Sequence, residues 1–321
     1  MNSRRQILLD WMEQGRIAPE NLQRALSVTG VLPSGASWRR FLDHLFLWTG
    51  TLMLAAGVIC FFAFNWNDLD RFAKFGLVET LIVGALIVVW RLGLEHIAGK
   101  VTLLVASLFV GVLLAVIGQT YQTGADTFEL FAAWAAFILP WVLAGRLAAL
   151  WLVWLTLLNL ATILYYKTFD GLFGLLFSPT QLIWILFALN TIALVIWEFI
   201  AARGTRDQWA IRILATASGG LITTLAVYFL VEMRSSSGWA LLAWFAWLAI
   251  AYLVYRHILR DVYVLAGGVL SIIMVVATGL AQDMLKSGDS AGTLLFIGLV
   301  VIGLSAAGGW WLKQVVGEAK S

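Results

Sequence analysis

Long apolar stretches separated by short polar segments dominate the chain from residue 45 onward. Each stretch has about 17 to 22 residues, the length that an α-helix needs to cross a hydrocarbon core of roughly 30 Å. The pattern therefore predicts ten transmembrane helices. The predicted spans are Leu45–Phe64, Phe72–Trp90, Val101–Gly118, Phe128–Ala144, Leu147–Tyr166, Thr180–Ala201, Ala210–Val231, Trp239–Tyr255, Val262–Ala281 and Ala291–Leu312.

The fourth and fifth stretches are separated only by Gly145 and Arg146, and Pro140 lies inside the fourth. Proline removes a backbone N–H and clashes with the preceding turn, so we expect a kink there. A broken or re-entrant element is the alternative at this place. An eight-helix arrangement therefore stays open beside the ten-helix one.

Apolar residues recur at helical spacing in two short runs before the first long stretch. Gly15 is a stop signal for the first run, and Pro19 opens the second. A breaker cluster, Gly30–Ser37, then separates this predicted helical hairpin from the membrane part. We therefore expect residues 1–37 to form a hairpin and linker, and residues 38–321 a transmembrane domain. The apolar residues of the two runs are Ile7, Leu8, Trp11, Met12, Leu22, Ala25 and Leu26.

Composition supports a membrane protein, because 61% of the residues are hydrophobic, 12% are charged and the mean hydropathy is +0.90. So few charges cannot cover the surface of a soluble domain of this size, so the bilayer is the expected environment. The predicted fold class is all-α, a polytopic integral membrane helical bundle with a short N-terminal cytoplasmic hairpin. The single cysteine and three scattered histidines predict no disulfide, metal site or cofactor.

Basic residues are distributed unevenly between the two sides that alternating spans define. Sixteen of the 21 lysine and arginine residues lie on the side of the N-terminus. By the positive-inside rule, both termini are predicted to be cytoplasmic, in a bacterial inner membrane. The N-terminal segment has no signal-peptide pattern, and the basic surface is explained by anionic lipid without a nucleic-acid partner.

Polar residues cluster in two loops on the predicted extracytoplasmic side, after the first and third spans. The clusters exceed what a turn requires, which favours a polar site. The alternative is structural: amides satisfy helix ends, and Asp126 caps the next helix. Both interpretations stay open. The candidate site residues in these loops are Asn65, Trp66, Asp68, Gln119, Tyr121, Gln122 and Asp126.

Glu79 is the remaining candidate, because it lies inside the second span, about 12 Å along the helix axis from Arg71. An ionisable side chain at such a depth indicates a functional site. Its expected partners are Arg71, Lys74 or the amides of the second loop. A structural carboxyl group that serves only packing is the alternative.

Two further amides, Asn159 and Asn190, are predicted in the middle of the fifth and sixth spans, where interhelical hydrogen bonding is expected. No phosphate-binding loop, nucleophile elbow or carboxylate pair with metal-ligand spacing occurs. The sequence therefore gives no support for an enzyme.

The chain resembles a bacterial family of predicted membrane proteins, domain of unknown function number 2157. The resemblance rests on Trp11 and Gly15 in the hairpin, on Asn65-Trp66 after the first span and on the Gly118–Gln122 run. It covers about the first 145 residues. It implies a polytopic protein without an assigned activity or catalytic residues. It also implies, as a possible partner, a second membrane protein with a GDYXXLXY motif that is encoded nearby.

Two functional hypotheses follow. The first is a transporter or channel-like protein, with the candidate residues lining a polar extracytoplasmic mouth between the first four spans. The second is a non-transporting membrane subunit of a hetero-complex, with an assembly or sensory role, whose polar clusters pack against a partner. A membrane enzyme that acts on a lipid is the third.

Overall fold

The computed structural model describes residues 4–32, 35–64, 69–122, 124–173, 179–201, 207–232, 238–285 and 290–318, and among them the regular elements are all helical. The predicted all-α class is therefore confirmed. The α-helices are α1 (Arg4–Glu13), α2 (Pro19–Val28), α3 (Gly35–Phe64), α4 (Arg71–Leu92), α5 (Ile97–Tyr121), α6 (Thr127–Gly145), α7 (Ala148–Phe173), α8 (Pro179–Ala201), α9 (Gln208–Glu232), α10 (Trp239–Leu253), α11 (Val262–Leu285) and α12 (Ser290–Glu318).

Ten of these helices, α3 to α12, are long and apolar enough to span a membrane. Each corresponds to one of the ten predicted stretches, which confirms the predicted bundle of about ten apolar helices. The predicted linker is too long, however, because α3 already begins at Gly35, inside the breaker cluster. Helical propagation from the long apolar run extends through Ala36 and Ser37, since one more residue costs little once a helix is nucleated.

Helix α6 is continuous through Pro140. Because proline has no N–H, the carbonyl of Ala136, four residues earlier, loses its usual helical donor. Close to this point, the indole N–H of Trp154 on α7 donates to the carbonyl of Ala135 (3.0 Å). A proline is tolerated inside a membrane helix when a neighbour supplies such bonds. Only two residues join α6 to α7, and Arg146 reverses the chain there in the left-handed conformation (φ 44°).

The chain divides into two compact units, residues 1–125 with 136–147 and residues 126–135 with 148–321. In the first unit, α1 and α2 form the predicted hairpin, where Gly15 adopts a positive φ of 70° and Leu8 is buried. Helices α4 and α5 pack closely, with Val78 and Val116 fully buried between them. This α4–α5 pair positions most of the described candidate residues.

In the second unit, α8, α9, α11 and α12 pack in succession, and α10 packs on α9. Helix α10 ends in one π-helical turn, Val254–Ile258, whose Tyr255 lies in the apolar core with Ile211 and Leu214. Asp261 then begins α11, because its Oδ1 accepts a hydrogen bond from the backbone N–H of Tyr263 (3.0 Å). The second unit therefore has an apolar core and defined helix ends.

The turn between α4 and α5 depends on two glycines. Gly93 ends α4 with a φ of 74°, and a Cβ atom at Gly99 would lie against the carbonyl oxygen of Gly93. We expect Gly99→Ala to destabilise the protein by about 1–3 kcal/mol through this overpacking. Thermal unfolding in detergent measures the effect. Gly84→Ala is the matched control, since nothing lies within 4 Å of its added Cβ, and equal stability of the two variants would contradict the close approach.

Candidate functional site

The polar run at the end of α5 is held against the start of α4 by an aromatic pair. The rings of Phe75 and Tyr121 stack with centroids 5.8 Å apart and planes inclined by 25°. Tyr121 is 61% exposed, and Gln119 and Gln122 are exposed beside it. The structure thus brings one end of α5 to the second turn of α4, with the two glutamines exposed.

Gln122 also has a structural role. It follows the last residue of α5 in the left-handed conformation (φ 44°, ψ 52°), which ends the helix, and Gly124 continues the reversal with a φ of 67°. Glycine usually occupies such a position, since a side chain there costs of order 1–2 kcal/mol. The backbone of Gln122 therefore ends α5. A ligand-binding role for its side-chain amide stays a prediction.

Asp126 lies in the second unit, immediately before α6, and its backbone carbonyl accepts a bond from the N–H of Glu129 (3.0 Å). Its carboxylate is exposed and forms no hydrogen bond with a described residue. Asp70 does cap a helix with its side chain, because its Oδ1 accepts a bond from the N–H of Ala73 at the start of α4 (2.8 Å). Asn65, Trp66 and Asp68 lie outside the described residues.

Glu79 lies on α4 with an exposed side chain, one residue from the buried Val78. The expected pairing with Arg71 or Lys74 does not occur among the described residues. The reason is helical geometry: at about 100° per residue, Lys74 projects roughly 140° away from Glu79, and it is buried. Arg71 lies two turns away, with its guanidinium over the ring of Phe72 (5.0 Å).

The exposed residues around Glu79 form one side of α4, which we call the α4 flank: Phe72, Gly76, Glu79 and Val83. Apart from Glu79 it is apolar, with Phe72 71% and Val83 54% exposed. A Cβ atom added at Gly76 would have no neighbour within 4 Å. The α4 flank is therefore a surface of small and apolar groups around one carboxyl group, within a membrane-spanning helix.

A cavity of about 540 Å³ lies among α3, α4 and α5. Its lining is mostly apolar, with glycines and threonines among aliphatic and phenylalanine side chains. The hydroxyls of Thr51 and Thr102 donate to their own helix backbones, at 2.6 and 2.8 Å. None of the five described candidates, Glu79, Gln119, Tyr121, Gln122 and Asp126, lines this cavity. Its described lining is suited to an apolar occupant and not to an ion or a polar solute.

The interior polar groups of the second unit bond to one another across helices. Asn190 donates through Nδ2 to Oδ1 of Asn159 (2.7 Å), which confirms the predicted interhelical bond. The indole of Trp247 donates to Ser218, and the indole of Trp244 donates to Ser271 (3.0 and 2.8 Å). The serine and tryptophan contacts were missed, because hydroxyls and indoles on apolar helices give no distinct sequence signal.

Charged residues pair near one end of the spans of the second unit. Arg212 binds both carboxylate oxygens of Asp261 at 3.3 Å. Tyr255 donates to Glu198 (2.8 Å), and Arg256 bonds to Glu318. Sequence reasoning missed these pairs as well, although acidic residues close to span ends were a signal. Among the described residues, no group of three or more His, Cys, Asp or Glu side chains could hold a metal ion.

These features define the class of protein, a polytopic α-helical membrane protein with paired polar groups inside its second unit. More particularly, residues 9–151 match the model of a family described as "Predicted membrane protein (DUF2157)". The resemblance seen in the sequence is thus confirmed for that segment, which includes the α4–α5 pair and all eight candidate residues. No curated protein and no solved structure matches the chain.

The Asn159–Asn190 pair gives a direct test of polar packing between α7 and α8. Replacing either residue by leucine leaves the other amide without its partner, whereas the double variant removes both. We expect a coupling free energy of about 0.6–2 kcal/mol from a double-mutant cycle, as for other hydrogen bonds in membranes. Unfolding by denaturant in mixed micelles measures it. Strictly additive single effects would contradict the interhelical bond.

Proposed function

We propose that this protein is a non-transporting membrane subunit that assembles with a second membrane polypeptide through the α4 flank. One observation carries the proposal. Glu79 is exposed within a membrane-spanning helix and has no hydrogen bond or ion pair with any described residue. Lipid tails offer no donor to a carboxyl group, whereas a protein helix does.

The energetic argument starts from the depth of Glu79. It lies eight residues after Arg71, about 12 Å along the axis, in a hydrocarbon core of roughly 30 Å. Insertion of an acidic residue at the centre of a membrane helix costs about 2.5–3.5 kcal/mol on translocon scales. A partner that hydrogen-bonds the carboxyl group offsets much of this cost, so a covered flank is more stable than one facing lipid.

The shape of the α4 flank also suits a helix. Gly76 is open to close approach, and small residues let two membrane helices come into backbone contact. A donor side chain on the incoming helix, such as that of Lys, Arg, Asn or Gln, then reaches Glu79 one turn away. The second membrane protein with the GDYXXLXY motif, implied by the resemblance, is our candidate for this partner.

The transport hypothesis places Glu79 in a hydrated polar cavity between the first four spans. The cavity that α3, α4 and α5 form is apolar in its lining and excludes Glu79 from that lining. The absence of Glu79 from an apolar lining favours the hypothesis of a non-transporting subunit over the hypothesis of a transporter.

We place the complex in a bacterial inner membrane with both termini in the cytoplasm, as the distribution of basic residues supports. The helical hairpin, α1 with α2, would then face the cytoplasm. It carries exposed apolar side chains, Trp11 and Val28 among them, that suit a second protein contact.

The proposal predicts that partner binding depends on the carboxyl group of Glu79. Glu79→Leu removes the acceptor, and we expect a loss of about 1–2 kcal/mol, or roughly five- to thirty-fold in affinity. Glu79→Gln keeps a hydrogen-bonding group, so its loss should be smaller. Tagged protein purified in mild detergent from its native membranes, with quantitative mass spectrometry of the co-purified membrane proteins, measures the effect.

Thr80→Val is the matched control. Thr80 is the next residue on α4 and is exposed, but its hydroxyl already donates to the carbonyl of Gly76 (2.6 Å). Its replacement should leave partner recovery unchanged. A wild-type protein that is monodisperse without a stoichiometric partner would contradict assembly. A Glu79→Gln variant that changes solute uptake while partner recovery is normal would favour the transporter instead.

A further inference from the structure

A second cavity, of about 550 Å³, opens on the surface of the second unit between α9 and α11. The lining includes Gly219 and Gly220 on α9 and Gly267 on α11. Because glycine has no side chain, these positions leave space between the two helices. Cβ atoms added at Gly220 or Gly267 would meet nothing within 4 Å, whereas one at Gly219 would meet the indole of Trp247 at 2.8 Å. Gly219 therefore permits helix packing, and the other two glycines keep a groove open.

The groove extends along α9 and α11. Its lining on α9 runs from Thr216 to Val227, about 16 Å at 1.5 Å per residue. On α11 the lining begins at Tyr263, the second residue of a membrane span, and reaches Met274 about three turns further along. The lining is mostly apolar, and the hydroxyls of Thr223 and Ser271 bond to each other (2.6 Å). The groove thus runs from the start of the α11 span toward its middle and suits an alkyl chain.

A guanidinium group lies at the outer end of the groove. The hydroxyl of Tyr263, which lines the groove, contacts the hydroxyl of Thr216 (3.0 Å), and Arg212 lies over the ring of Tyr263 (5.4 Å). Arg212 is 42% exposed, whereas the carboxylate of Asp261 behind it is only 6% exposed. Asp261 engages two of the five N–H groups of the guanidinium, and the other three are not bonded to a described residue.

We propose that this groove binds one glycerophospholipid, with an acyl chain between α9 and α11 and the phosphodiester on Arg212. Three observations select this occupant. The volume is in the range of a small-ligand site and is too small for a helix about 10 Å across. The groove is apolar along its depth, and free guanidinium donors occur only at its outer end among the described lining and mouth residues, as phosphate recognition requires. This site is independent of the α4 flank.

Native mass spectrometry of delipidated protein, titrated with phosphatidylglycerol, tests the site. Gly267→Leu and Gly220→Leu each place a side chain in the groove from a position where the added Cβ meets nothing within 4 Å, and we expect the apparent affinity to fall at least tenfold. Leucine is also a better helix former than glycine, so folding should not suffer. Gly298→Leu on α12 is the matched control, since its added Cβ likewise meets nothing within 4 Å and lies outside the groove.

A second series of titrations separates the contribution of the lipid headgroup to binding from that of the acyl chains. Diacylglycerol with the same acyl chains should bind at least tenfold more weakly than phosphatidylglycerol. The double variant Arg212→Gln with Asp261→Asn removes both charges together, so that neither is left unpaired, and it should abolish this preference. Equal binding of the two lipids, unchanged binding by Gly267→Leu, or a second copy of the chain in place of the lipid would overturn the proposal.

Discussion

The absence of hydrogen-bonding solvent in the hydrocarbon core is the constraint on which this structure depends. Every backbone polar group in a span must bond within its own helix, which is why the described membrane part is helical throughout. The same constraint acts on side chains. Threonine hydroxyls along the spans donate to the carbonyl four residues earlier, as Thr49, Thr156 and Thr278 do. Where one bond is lost, at Pro140, an indole from α7 bonds to a carbonyl beside the gap.

The two units meet this constraint differently. In the second unit, buried polar side chains find partners on other helices, so that Asn159, Asn190, Ser218 and Ser271 each bond to a side chain of a neighbouring helix. Such bonds specify which helices are neighbours, since dispersion forces alone distinguish poorly between apolar faces. In the first unit, Glu79 has no such partner among the described residues. This contrast between paired polar side chains in the second unit and Glu79 in the first is the physical basis for proposing that the first unit binds a partner protein.

The sequence predicted the spans well because span length and apolar composition are local properties. The hairpin could also be predicted from the sequence, since Gly15 favours the end of one helix and Pro19 the start of the next. Interhelical hydrogen bonding of Asn159 and Asn190 was predicted because a mid-membrane amide needs a partner, and the structure adds that the two bond to each other. The predicted pairing of Glu79 with Arg71 or Lys74 was wrong. The prediction used proximity in sequence and did not take into account that side chains on a helix point in directions about 100° apart per residue. Arg212 and Asp261 are 49 residues apart, and only the packing of α9 against α11 reveals that they meet.

Site-specific photo-crosslinking in native membranes tests the central claim most directly. A photoreactive residue at Val83 lies on the α4 flank, one turn from Glu79, whereas one at Val88 lies on the opposite side of α4, in the lining of the apolar cavity. Assembly through the flank predicts an adduct with one defined membrane protein from position 83 and none from position 88. Lipid adducts alone at position 83, or the same protein adduct from both positions, would contradict it.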